Sequence, residues 1–115
     1  VPSRHEASDS LNTIIGNGER IALYTAGLNQ EAFGADGRTR DAVERCLERI
    51  CEAAHRLGSN AETMMPDQPW RDIRGMGNRL RHGYDRISLD IIWNAIRHDV
   101  PALLADARQA LKRLP

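Results

Sequence analysis

The densest chemistry in the chain lies between residues 71 and 86. Arg71, Arg74, Arg79, Arg81 and Arg86 stand there against only Asp72 and Asp85, in a chain whose formal net charge is zero. Guanidinium groups grip phosphate oxygens from a planar fork, so a phosphate-binding surface is one reading. A solvated helix face is the other, and charge alone does not choose between them. His82 lies inside the patch. Its imidazole can exchange a proton near neutral pH, as a general acid or base must, although a lone histidine is more often structural. Tyr84 follows two residues on. It is either an apolar plug or a hydroxyl pointing into the same cleft.

Other chemistry-bearing residues are sparser. His55, His82 and His98 could meet in space, but no short ligand spacing joins them, and no metal site or cofactor is expected. Cys46 and Cys51 sit five apart in one helical run. Helix geometry sets them roughly 140° apart around the axis, which disfavours a local disulfide. Glu52 borders an apolar stripe and is expected to pair with an arginine of a neighbouring helix. Trp70 and Trp93 read as core anchors. No P-loop, dinucleotide fingerprint, serine nucleophile elbow or zinc-protease helix is present.

The elements that must position these residues read as helices throughout. A flexible arm is expected over residues 1–7, then one domain over 8–115. A first helix begins near Ser8 or Asp9 and ends at Gly27, with Leu11, Ile14, Ile15 and Ala22 at helical spacing. Gly16 and Gly18 weaken it unless another helix approaches closely. Asn29 caps a short turn. Asp36 or Thr39 opens a long helix whose stripe is Ala42, Val43, Cys46, Leu47, Ile50, Cys51, Ala54 and Leu57, closed by Gly58. Ser59 to Glu62 fits a capping box. Pro66 and Pro69 bound a loop, and Trp70 to about Arg81 forms the helix carrying the arginine patch. Ser88 caps a fourth helix. Asp99 and Pro101 open a fifth, with Leu103, Leu104, Ala107 and Leu111. No alternating strand pattern appears, so the expected fold is all-α, a bundle of four to five helices.

Composition narrows the class. A chain of 115 residues is long enough to bury a core without metals or disulfides. A pI near 7.1 argues against a non-specific nucleic-acid coat while leaving room for a local basic patch. No apolar run has membrane-spanning length, and the start lacks the apolar region of a signal peptide. Two unpaired thiols point to the cytoplasm.

The sequence also resembles the HepT-like toxins, a family of HEPN domains. Their signature is an arginine, an asparagine, three variable residues, a histidine, any residue and a tyrosine. Asn78, His82 and Tyr84 match it. Similar stretches flank it: Tyr24-Thr25-Ala26-Gly27, Thr39-Arg40-Asp41-Ala42-Val43, Glu52-Ala53-Ala54, Pro69-Trp70-Arg71-Asp72-Ile73-Arg74-Gly75-Met76 and Val100-Pro101-Ala102-Leu103. The resemblance implies an HEPN-like homodimer whose two signature segments share a cleft. It implies a metal-independent RNA endonuclease, the toxin of a type VII-like toxin–antitoxin pair. The partner it implies is an MntA-like minimal nucleotidyltransferase antitoxin, which silences the toxin by transferring AMP to the signature tyrosine, here Tyr84. His82 would be catalytic and Asn78 would support it, with Arg74, Arg79 and Arg81 on RNA phosphates.

One position departs from the pattern. Gly77 stands where the signature arginine belongs, and glycine offers no cation for charge developing on a phosphate. Impaired activity is therefore expected, with Arg81, then Arg74, as the residues best spaced to compensate. The alternative is a non-catalytic helical module that binds a nucleotidyltransferase partner or RNA.

Overall fold

The computed structural model describes residues 4–83 and 86–115. The first helix, α1 (Arg4–Thr25), starts a turn earlier than its capping residues imply. Ala7 is buried, one turn before Leu11, and continues the row that runs through Leu11, Ile14 and Ile21 into the core. Extending a nucleated helix costs little when the added turn buries an apolar residue. The expected arm over 1–7 is thus helical from Arg4 onward. Of its two interior glycines, only Gly18 meets a neighbour: a Cβ there would lie 3.3 Å from the Leu104 side chain, whereas Gly16 has nothing within 4 Å.

Local signals set most of the other boundaries. In α2 (Gln30–Ala35) the Asn29 side chain accepts from the Ala32 N–H at 2.8 Å. In α3 (Gly37–Leu57) Asp36 is the cap, accepting from the Thr39 N–H at 3.1 Å and the Thr39 hydroxyl at 2.6 Å. The Thr39 hydroxyl bond, then its amide, lowers the Asp36 carboxyl below its ordinary range. The α3 stripe is buried at Val43, Cys46, Leu47, Ile50, Cys51, Ala53, Ala54 and Leu57. Gly27 and Gly58 end their helices with φ of 78° and 58°, a region that disfavours side chains. The capping box expected in α4 (Ser59–Met64) does not form. Gly58 is the N-cap without a side-chain bond, and Glu62 reaches Arg74 instead.

After the proline-bounded loop, α5 (Trp70–His82) carries the arginine patch. Trp70 anchors its start, buried, with its indole N–H donating to the Met65 carbonyl at 2.8 Å. Ser88 caps α6 (Leu89–Asn94). The two expected C-terminal helices are one run: α6 passes through a π-helical turn (Ala95–Asp99) into α7 (Val100–Arg113). Pro101 has no N–H to give and its ring crowds the carbonyl four residues back, so a widened turn just before it lets the run continue. The Val100 N–H bonds the Ala95 carbonyl five residues back. The fold is an all-α bundle.

Packing centres on α3, which contacts α1, α5 and α2, while α1 also packs against α7. Phe33 is fully buried, its ring 5.5 Å from that of Trp93. Trp93 itself is only half-buried, less of an anchor than Trp70. Both cysteines are free and buried. Glu52 is exposed and lies 3.9 Å from Arg56 on its own helix, not beside an arginine of another helix.

Candidate functional site on the exposed face of α5

Helix α5 lies antiparallel on α3. Arg74 reaches the Gly58 carbonyl at 3.1 Å, Gly77 sits over Cys51, and Arg86, beyond the helix end, reaches Asp41 at 2.7 Å and Glu44 at 3.1 Å. The buried side holds Trp70 and Gly77, with Ile73, Met76 and Leu80 packed against the core. Helical spacing then sends Arg71, Gly75, Asn78 and His82 outward, within roughly 60° of one another, and all four are exposed. His82 is the last helical residue, and the Gly83 N–H closes the turn on the Arg79 carbonyl at 2.9 Å.

The five arginines divide by duty. Arg74 is occupied: it pairs with Glu62, donates to the Gly58 carbonyl and lies 5.9 Å from the Trp70 ring centroid. Arg86 is held by Asp41 and Glu44, and the Asp41 hydrogen bond, then the Glu44 charge, raise its pKa. Arg40 completes this clasp, bonding Glu44 at 2.8 Å and the Ile87 carbonyl at 2.6 Å. Arg71, Arg79 and Arg81 have no ion-pair partner among the described residues, and Arg81 donates a long 3.5 Å bond to the Asn78 amide oxygen. The exposed cations without such a partner are therefore Arg79 and Arg81, within a turn of His82, and Arg71, about three turns before it. Arg71 belongs to the arginine patch already read from sequence, and its spacing of seven from Asn78 and eleven from His82 puts it on their side of the helix.

Gly77 occupies a different place. A Cβ built on it would stand 2.7 Å from the Cys51 Cβ, so glycine is what lets α5 settle onto α3. The sequence offers no gain from a glycine here; the close helix contact is the gain. In this packing position 77 faces α3, and cations reach the exposed face from its neighbours. Beneath it, burial pushes the Cys51 thiol up to about 11, with Arg81 pulling modestly the other way. Cys51 is a protonated packing group, not a nucleophile. Tyr84 lies outside the described residues. No group of three or more His, Cys, Asp or Glu among the described residues could hold a metal ion.

An exposed imidazole, a carboxamide one turn before it and two flanking guanidinium groups can bind a polyanion and move a proton at its edge. The model of the family described as ribonuclease HepT-like matches residues 14–110 of this sequence, a span that contains all of these groups. The chain belongs to the HepT-like ribonuclease family. Its relatives include a protein named "Probable ribonuclease HepT" from Thermococcus cleftensis, 32% identical over 95 residues, covering 83% of this chain and 86% of that one. One from Caldanaerobacter subterraneus is 31% identical over 103 residues, 90% and 92% of the two chains. Another, from Methanocaldococcus jannaschii, is 27% identical over 101 residues, 88% and 93%; both names place these proteins with the RNases. No solved structure gives a significant match to the chain. No helix among the described residues is long and apolar enough to cross a membrane.

Proposed function

We propose that this HepT-like chain is an RNA endonuclease of the toxin type, with His82 moving the proton and arginine on the exposed face of α5 holding the phosphate. One observation carries this: Asn78 and His82 emerge on a single exposed helix face, with the Arg81 guanidinium 3.5 Å from the Asn78 amide oxygen, in a chain that matches the family from residue 14 to 110. In the chemistry, the ribose 2′-hydroxyl attacks the adjacent phosphorus and the 5′-oxygen leaves. His82 takes or returns the proton, and Arg81 or Arg79 balances charge growing on the phosphoryl oxygens. Gly77 removes one cation from the family's pattern, so turnover is expected to be low.

The face is open, and a single copy surrounds the phosphate on one side only. A homodimer that brings two such faces together would enclose it and pool their positive fields. The regulatory partner in this reading is a minimal nucleotidyltransferase antitoxin that adenylylates Tyr84. The test is cleavage of single-stranded RNA without metal by the unaltered chain, by His82→Ala and by Arg81→Ala. Cleavage lost in both variants, with helicity retained, is the expected result. Equal cleavage by the unaltered chain and His82→Ala would overturn the assignment. RNA binding without cleavage by any form would favour the non-catalytic module, the reading that Gly77 supports.

A further inference from the structure

A second feature lies on another side of α5. Where α5 meets α3, the π turn and the start of α7, a partly open cleft of about 270 Å³ is left. Leu47, Ile50, Ile73, Met76 and Leu103 line it, with Cys51 beneath. Asp72 and Met76 stand roughly 80–160° around α5 from Asn78 and His82, so this cleft opens on a different side of the helix from those two residues. An apolar hollow of about 150 Å³ is enough to hold a benzene ring, and concave apolar sites with a few placed polar groups are the usual form of small-ligand sites.

The polar groups at the mouth determine what kind of ligand fits. Asp72 from α5 and Asp99 from the π turn are both exposed at the rim, and neither has an ion-pair partner among the described residues. Arg74 is directed to Glu62 and Arg97 lies over the Trp93 ring at 5.9 Å, and no arginine among the described residues lines the cleft. Asp99 accepts only a long 3.4 Å bond from Asn94. The rim is negative, the interior apolar, and the wall includes a π turn, an element that recurs at functional sites. Beside these two carboxylates a cation is favoured over an anion. A ligand with an apolar body and a single positive head matches both parts, because its charge stays in water beside the carboxylates while its body leaves water.

We propose that this cleft binds a small organic cation, an amine carried on a body about the size of a substituted phenyl ring, with its ammonium at the Asp72–Asp99 rim. This site is independent of the RNA chemistry assigned to His82. The probe is 2-phenylethylammonium, titrated into the protein while the methyl resonances of Ile50, Ile73, Met76 and Leu103 are followed by NMR. A saturable shift confined to these methyls is expected. The neutral 2-phenylethanol should bind roughly tenfold more weakly, and the anionic 3-phenylpropionate not at all. Asp72→Asn and Asp99→Asn, both exposed positions, should each weaken binding of the amine but not of the alcohol. His82→Ala should leave it unchanged, so failure of the RNA reading would not touch this one. Absence of a saturable shift overturns the proposal, as does equal binding of all three probes. Affinity that falls as protein concentration rises also overturns it, because another copy of the chain would then be covering the cleft.

Discussion

Two glycines of α5, two residues apart, should respond to the same substitution with opposite signs. Replacing glycine by alanine inside a helix gains about 1 kcal/mol of propensity. At Gly75 a Cβ would have nothing within 4 Å, so Gly75→Ala should stabilise the protein by about that amount. At Gly77 the same methyl would stand 2.7 Å from the Cys51 Cβ, well inside the ~3.5–4.0 Å at which carbon atoms rest. The obstructing atom is a Cβ, fixed to the backbone, so no rotamer change relieves it and α3 and α5 must part. Overpacking of this kind costs about 1–3 kcal/mol. Propensity cancels between the two variants, so the difference in their unfolding free energies measures that cost directly. Cys51→Ala keeps the Cβ and should not rescue Gly77→Ala, whereas Cys51→Gly removes it and should. The assay is urea denaturation followed by helicity at one protein concentration, with unchanged slopes showing that the transition is comparable. Equal stabilisation by Gly75→Ala and Gly77→Ala, or no rescue by Cys51→Gly, would refute the reasoning. The same geometry makes Gly77→Arg a disruptive way to restore the family's arginine, since its side chain would start against Cys51.

Three further outcomes follow from the geometry. Arg81→Ala should weaken RNA binding and lower the slope of log K against log salt by about 1, whereas Arg74→Ala should leave the slope unchanged and cost about 1–2 kcal/mol of stability, because Arg74 holds Glu62 and the Gly58 carbonyl. The folded Cys51 thiol titrates near 11 against an ordinary 9.0 because it is buried. Its stabilising preference for the protonated form is complete below pH 9 and is lost as pH rises from there through 11, so urea midpoints should fall across that window, and less so in Cys51→Ala. Under the proposed function, incubation with a minimal nucleotidyltransferase partner, ATP and magnesium should raise the chain mass by AMP units, and Tyr84→Phe should abolish the gain; the same increase in the phenylalanine variant would place the acceptor elsewhere.

The local rules of the chain were legible without coordinates. The apolar stripe from Val43 to Leu57, the caps at Asn29 and Ser88, the helix start at Asp36 or Thr39, and the stop at Gly58 depend on residues within a turn or two of one another. So does the alignment of Asn78 with His82, which four-residue spacing alone puts on one face. What the tertiary structure decided involves residues far apart in the chain. The use of Gly77 depends on Cys51, and the engagement of Arg74 on Gly58 and Glu62. The capture of Arg86 depends on Asp41 and Glu44, and the cleft on how the π turn before Pro101 meets α5. Periodicity tells which side of a helix turns inward, but not which atoms it meets there. Those contacts seat Gly77 against the neighbouring helix and tie Arg74 to two partners on other elements.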